Sequence, residues 1–214
     1  WRDWSSDVCS SDLGDVNGDG IADFIIGARG NGAASNAYVI FGKNSLASTT
    51  VNLGQVGSTV AGFRIASLSN GESLGRDVSY AGDINGDGLA DVVVGANLTN
   101  ANGTNSGRIY VVYGKTDNTT VYASDLVTGK GGFVINGAST SDNLGNSVSN
   151  AGDLNGDGYD DMIVTAYLAG TNQVGNSYVI YGAPSYLTGS VAAGTGTLMD
   201  ELVMGSDGAD TLTG

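Results

Sequence analysis

The chain has 214 residues, with 22 Asp and Glu against 8 Lys and Arg, a formal net charge of −14, no histidine and one cysteine. Without histidine there is no Ser-His-Asp or Cys-His catalysis and no His-ligated metal site; a single cysteine makes neither an internal disulfide nor a zinc cluster. An acidic chain is a poor partner for nucleic acid, and with no run of about 18 apolar residues no membrane span is expected.

Residues 1–13 differ from the rest. They hold both tryptophans, Trp1 and Trp4, and the lone Cys9. The string from Trp4 to Leu13 resembles the translation of a sequencing adapter, so the stretch is expected to be non-native and the fold is read without it.

From Gly14 a repeat begins. Gly14-Asp15-Val16-Asn17-Gly18-Asp19-Gly20-Ile21-Ala22-Asp23 is followed by the aliphatic run Phe24-Ile25-Ile26. Further runs rich in Val, Ile and aromatics follow at Ala37–Lys43 and Gly62–Ile65. Leu74-Gly75-Arg76-Asp77-Val78-Ser79 then leads into a second loop, Asp83 to Asp91, with Val92-Val93-Val94 behind it. Arg108–Lys115 and Gly132–Ile135 answer the runs of the first unit. Leu144-Gly145-Asn146-Ser147-Val148-Ser149 opens the third unit, whose loop runs from Asp153 to Asp161, followed by Met162-Ile163-Val164 and Ser177–Gly182. The loop starts lie 68 and 70 residues apart. Four short strands per unit, bounded by Gly, Asn and Asp, predict an all-β chain with no sustained helix. A four-stranded unit repeated at fixed period must stack on its neighbours to cover its faces. The three aliphatic runs are expected to be buried on both faces.

Each loop reads Asp-x-Asn-x-Asp-Gly-x-x-Asp. Side-chain oxygens from the first, third, fifth and ninth positions and a backbone carbonyl from the seventh are the donors a hard cation such as calcium takes, six to eight at about 2.3–2.6 Å. The predicted ligand sets are Asp15, Asn17, Asp19, Ile21 and Asp23; Asp83, Asn85, Asp87, Leu89 and Asp91; and Asp153, Asn155, Asp157, Tyr159 and Asp161. About three calcium sites follow. Position twelve holds Ile26, Val94 and Val164, so the bidentate Glu of an EF-hand is missing and a strand follows in place of a helix. For any single loop, a metal-free Asn/Asp/Gly turn is the alternative; three copies in one register favour the metal. Asp160, between ligand positions, is expected to be solvated, and Asp77 and Asp142 to serve solubility. The end of the chain, Gly205 to Gly214, resembles one copy of the calcium-binding nonapeptide of RTX proteins, or else is a last strand and turn.

The loop, the aliphatic strand behind it and the aromatic-Val-Ile-Tyr/Phe-Gly strand recur in order, and they resemble FG-GAP repeats, the blades of integrin α-type β-propellers, in particular those of large bacterial secreted or surface proteins. The resemblance covers about Gly14 to Gly182. Two signatures depart from it: Phe-Gly stands as Leu74-Gly75 and Leu144-Gly145, and Gly-Ala-Pro as Gly27-Ala28-Arg29, Gly95-Ala96-Asn97 and Thr165-Ala166-Tyr167. The resemblance implies a partial β-propeller of about three four-stranded blades, divided near 14–70, 71–140 and 141–204, within a propeller fragment over 14–199 and a last strand or RTX start over 200–214. It implies an extracellular, non-enzymatic adhesin or RTX-like protein whose partners are calcium, a protein or glycan ligand, and the remaining blades of a longer chain. A carbohydrate-binding propeller using Tyr122, Tyr167 and Tyr186, or an accessory domain of a secreted hydrolase, stands as the alternative. An open arc of blades is expected to self-associate.

Overall fold

The computed structural model describes residues 8–12, 14–30, 34–43, 50–184, 189–192 and 202–204. In chain order the strands are β1 (Val8–Asp12), β2 (Phe24–Ala28), β3 (Ala34–Ile40), β4 (Gly62–Asn70), β5 (Val78–Gly82), β6 (Asp91–Ala96), β7 (Arg108–Val112), β8 (Val121–Tyr122), β9 (Gly132–Asn136), β10 (Leu144–Gly152), β11 (Asp161–Ala166), β12 (Asn176–Ile180), β13 (Gly189–Ala192) and β14 (Leu202–Met204). A single turn of helix, α1 (Ala123–Val127), follows β8.

Three antiparallel meanders result: β1-β2-β3-β4, β5-β6-β7-β9 and β10-β11-β12-β14. They are blades I, II and III of an all-β partial β-propeller. Each blade begins with the strand that precedes its loop. In blade I that strand is β1, paired residue for residue with β2 from Val8↔Ala28 to Asp12↔Phe24. Part of the stretch set aside in the sequence therefore holds the place that β5 and β10 hold in the other blades. Residues 1–7 lie outside the described part, as do Gly205 to Gly214.

Alternation along the strands decides which way each side chain looks. Ile25, Ala37, Val39, Phe63 and Ile65 leave blade I toward blade II, where they meet Val92, Val94, Tyr110, Val112 and Val134. Val93, Ile109, Val111, Phe133 and Ile135 leave blade II on its other side and meet Met162, Val164, Tyr178 and Ile180 of blade III. The core is thus two sandwiches with blade II shared between them. The sequence predicts burial on both faces for all three aliphatic runs; of the three only β6, in the middle blade, has it, as do β7 and β9 of the same blade. In β2 every second residue is half-buried, and in β11 Ile163 is exposed, because these strands have a blade on one side only.

Two sheets carry a fifth strand that the repeat pattern does not announce. β8 lies between β7 and β9 in sequence, yet it pairs in parallel with β4 of blade I, Ile65↔Val121 and Ala66↔Tyr122. β13 lies between β12 and β14 and pairs in parallel with β9 of blade II, from Gly189↔Phe133 to Ala192↔Asn136. Each later blade thus sends an arm back over the outer edge of the one before, covering a row of backbone groups that would otherwise be open to another chain.

Blades approach closely at a glycine pair. A Cβ on Gly27 would overlap the carbonyl oxygen of Gly75, and one on Gly95 would overlap that of Gly145. The Leu-Gly turns thereby find their place, with Leu74 and Leu144 fully buried beneath the neighbouring blade. Gly95→Ala is expected to destabilise the protein by about 1–3 kcal/mol, the usual cost of forcing atoms into a packed interior. Gly71→Ala serves as the control: nothing lies within 4 Å of a Cβ there, and its φ of +86° leaves only backbone strain as a cost. Urea midpoints of the two variants measure the difference.

Candidate functional site

The three loops between the first and second strands of each blade fold alike. The glycines at the fourth and sixth positions have φ of +76° and +83° in the first loop, +75° and +86° in the second, and +77° and +93° in the third. That left-handed backbone lets the chain wrap tightly enough for alternate residues to face inward.

The inward side chains are held by the loop's own amides. Asp15 accepts from the backbone of Asp19 at 2.9 Å and of Gly20 at 2.7 Å. Asp83 accepts from Asp87 and Gly88, and Asp153 from Asp157 and Gly158, in the same way. The Asn17, Asn85 and Asn155 side-chain carbonyls accept from the fifth-position amide, and Asp19, Asp87 and Asp157 accept from the amide of Ile21, Leu89 and Tyr159. Each asparagine also donates its amide hydrogen to the fifth-position carboxylate.

The ninth position behaves differently. Asp23, Asp91 and Asp161 are buried, with exposures of 2%, 0% and 0%, while the other loop acids lie toward solvent. Asp23 accepts from Val16 at 2.8 Å and from Gly42 at 2.7 Å. Asp91 accepts from Ile84 at 3.0 Å and Gly114 at 2.8 Å; Asp161 accepts from Leu154 at 2.7 Å and Gly182 at 2.9 Å. One carboxylate therefore closes the loop and pins the end of the third strand. The sequence reading named these aspartates but missed the glycine amides; the recurring aromatic-Gly after each third strand, Phe41-Gly42, Tyr113-Gly114 and Tyr181-Gly182, is the signal that marks them.

Burial pushes Asp91 up to about 8, against its two amide donors and with help from the neighbouring charges of Asp87 and Asp83. Asp23 and Asp161 are raised for the same first reason, burial, with the fifth- and first-position aspartates of their own loops adding to it. Three carboxylates that feel one another, one of them buried, form a set of hard oxygen donors short of positive charge, which is the chemistry calcium answers. With the carboxylates turned onto their own backbone amides, no group of three or more His, Cys, Asp or Glu among the described residues is drawn tightly enough together to hold a metal ion as it stands. Filling a loop therefore requires its side chains to close inward.

The loops of successive blades are also joined. The carbonyls of Asp15 and Asp83 accept from the amides of Ala90 and Asp160 in the next blade, and those of Val16 and Ile84 accept from Lys115 and Ala183. The Leu89 side chain lies over Gly18, and the Tyr159 ring over Gly86. Two expectations from sequence are corrected here. Asp160 is half-buried, and its carboxylate accepts from the backbone of Asp83 at 2.9 Å across the blade boundary. Asp77 accepts from Val148 at 2.9 Å across the same boundary, and the buried Asp142 accepts from Ser139 at 2.6 Å. These acids hold backbone in place, which composition alone could not reveal.

Tyr122 and Tyr167 are about half exposed, 51% and 48%, but they do not converge. Tyr122 lines a shallow cleft of about 690 Å³ with Tyr38 and Arg64, and Tyr167 is no part of it. Tyr186 lies outside the described residues. Among those residues no helix is long and apolar enough to cross a membrane.

Comparison with known proteins agrees with this architecture. Residues 10–40, 78–112 and 144–181 match the FG-GAP repeat. The chain is 32% identical over 188 residues to integrin alpha pat-2 of Caenorhabditis elegans, covering 81% of this chain and 14% of that protein. It is 28% identical over 166 residues to integrin alpha-4 of Xenopus laevis, covering 76% and 14%, and 27% identical over 173 residues to integrin alpha-V of Gallus gallus, covering 79% and 15%. The chain thus spans about one seventh of the length of these relatives, and each of the three matched segments ends within the third strand of its blade or one residue beyond it.

Proposed function

We propose that this chain, which carries FG-GAP repeats similar to those of integrin α chains, is a calcium-stabilised part of a β-propeller that works outside the cell or at its surface as a non-enzymatic interaction scaffold. The observation that carries the metal is the ninth-position aspartate, buried in each loop and raised by burial and by its own neighbours. A divalent cation offsets that charge and ties the loop to the third strand. Three bound ions would move the formal charge from −14 to −8, and would settle the acidity that makes the sequence unusual. The role as scaffold is supported by the likeness to integrin α chains and by the stacking of the blades, which leaves Asp19, Asp87 and Asp157 at the loop tips exposed toward a protein partner. Further blades of a longer chain are the natural neighbours of blade I, and the nonapeptide-like tail would add another calcium-binding repeat.

Sites in extracellular modules hold calcium with dissociation constants of about 10⁻⁴–10⁻³ M, weak enough to fill only where calcium is millimolar. Isothermal titration should therefore find about three ions per chain. Asp15→Ala, Asp83→Ala and Asp153→Ala should each remove one, since these first-position side chains organise the loop without closing it onto the third strand. A protein that shows neither heat of binding nor a change in melting temperature at 10 mM calcium would refute the metal reading.

A further inference from the structure

The boundary between blades I and II carries a cleft of about 490 Å³ at the end of the strands away from the Asp-x-Asn loops. One wall is the end of β4 and the connection beyond it, residues 68–72; the other is the turn between β6 and β7. The amide of Leu98 donates to the carbonyl of Glu72 and ties the walls together. Arg108, the first residue of β7, lines the cleft as well. Both walls belong to described residues at an internal boundary, so the cleft does not depend on what precedes or follows the chain.

The boundary between blades II and III is built alike and separates what is ordinary here from what is not. Asp142 stands where Glu72 stands, two residues before the Leu-Gly turn, and both acids are buried. Tyr178 stands where Tyr110 stands, through the pairs Val164↔Tyr178 and Val94↔Tyr110. Two positions differ. Arg108 lies opposite Ala96, where Asn176 lies opposite Ala166 and Asn36 opposite Ala28. Thr99 takes the place of Ala169; the amide of each donates to the alanine carbonyl three residues back. Arg108 is 9% exposed and Thr99 4%. Arg108 donates from Nε to Asn136 at 2.6 Å and from Nη1 to the Tyr110 hydroxyl at 3.4 Å, and its Nη2 has no partner among the described residues. Glu72 accepts from the Leu68 amide and the Ser69 hydroxyl, both at 3.1 Å, and from the Tyr110 hydroxyl at 3.5 Å. That hydroxyl therefore stands between a buried acid and a buried base. The Thr99 hydroxyl is buried with no hydrogen-bond partner. A buried polar atom in that state calls for a reason, since nearly all others are paired.

We propose that this cleft binds a neutral sugar, one residue of a glycan. A sugar presents several adjacent hydroxyls, each of which donates and accepts. The cleft answers both needs: the Arg108 guanidinium only donates, the Glu72 carboxylate only accepts, and the Thr99 hydroxyl and the amide of Asn70 do either. The opposite charges of Glu72 and Arg108 select against charged ligands. An anion drawn to Arg108 meets Glu72 and a chain of net charge −14, and a cation drawn to Glu72 meets the guanidinium. A neutral polyol uses both. Leu68 and Leu98, one on each wall, are 43% and 38% exposed and offer apolar surface to the C–H face of a pyranose ring. A few placed polar groups beside apolar surface are the usual makeup of a small-molecule site. The tyrosines singled out in the sequence, Tyr122 and Tyr167, take no part, and no metal is needed.

Saturation-transfer difference NMR on the full chain tests it with the methyl glycosides of glucose, galactose, mannose and N-acetylglucosamine, and with glucuronate and glucosamine as charged comparators of the same ring. At least one neutral glycoside is expected to bind saturably, with a dissociation constant on the order of 1–10 mM for a ligand of about a dozen heavy atoms. Arg108→Asn and Thr99→Ala install the residues of the next boundary. They should weaken that glycoside about tenfold and about threefold, the difference between a charged and a neutral hydrogen bond. Tyr122→Ala should leave it unchanged. Chelator in place of calcium should also leave it unchanged, which keeps this result apart from that of the metal titration. A folded wild type that binds none of the four glycosides overturns the inference. So does binding that survives both cleft substitutions, or glucuronate or glucosamine binding more tightly than the neutral sugars. Circular dichroism and a cooperative melt report folding, and Thr99→Ala decides alone if Arg108→Asn does not fold.

Discussion

Asp91→Ala is expected to cost about 2–5 kcal/mol of stability, more than any other single change in the loops. Its carboxylate is fully buried and takes the amides of Ile84 and Gly114. Alanine leaves both donors in the interior with nothing to accept them, and an orphaned buried donor costs about 1–3 kcal/mol. One effect runs the other way. Burial and the charges of Asp87 and Asp83 make the ionised carboxylate expensive, so removing it relieves some repulsion. The two amides win because they are fixed by the strand ends and cannot turn to water. Asp91→Asn separates the two effects. It is neutral and nearly the same shape, but it has one accepting oxygen where the carboxylate has two, so it should cost about half as much in metal-free protein. With calcium present the order changes: asparagine also forfeits a charged donor, and its deficit should approach that of alanine. Urea unfolding of both variants in chelator and in 10 mM calcium reads this directly. Equal losses for Ala and Asn in chelator would show that the charge, and not the pair of amide bonds, sets the cost.

The features that repeat inside one unit were legible in the sequence, because the same residues do the same task three times. The Asp-x-Asn-x-Asp-Gly-x-x-Asp spacing fixes which side chains turn inward, and the aliphatic run behind it fixes where the second strand starts. The contacts that cross a blade boundary were not legible. Asp160 meets Asp83, and Asp77 meets Val148, over some seventy residues of chain and between positions that are not equivalents of one another. Ala90 and Ala22 occupy the position of Asp160 in the other loops, so the repeat itself hides the contact. Period-two alternation says that a face is covered but not by what, which is why all three aliphatic runs looked alike although only β6 lies between two blades. The arm β8 is two residues long, too short for any propensity to show, and its partner lies in another unit. Val8–Asp12 holds the first place in blade I with the residues Val-Cys-Ser-Ser-Asp. Pairing with β2 there is made by backbone bonds, which ask little of side chains.

Calcium is expected to invert the pH dependence of stability. Asp91 sits at about 8 in the folded protein against 3.8 in the open chain. Between those values the native state keeps a proton that the unfolded state releases, so the stability this group contributes is complete below about pH 4 and is lost as pH rises through 8. Asp23 and Asp161 are raised as well and tilt the curve the same way. Metal-free protein should therefore melt at a lower temperature at pH 8 than at pH 5. A cation needs the carboxylate ionised, so binding expels that proton and is favoured as pH rises. At pH 8 and 10 mM calcium, sites with dissociation constants of about 10⁻⁴–10⁻³ M each add about 1.4–2.7 kcal/mol, and three of them about 4–8 kcal/mol. For a chain of this length that is a rise in Tm on the order of 10–30 °C. At pH 5 the gain should be a small fraction of this, because each ion must first displace protons held in the buried positions. Melting curves at pH 5 and 8, in chelator and in calcium, with sodium chloride matched for ionic strength, give the four numbers required. A calcium gain of equal size at the two pH values would mean that the ninth-position aspartates are already ionised without the ion, and that the metal acts on the exposed acids of the loops instead.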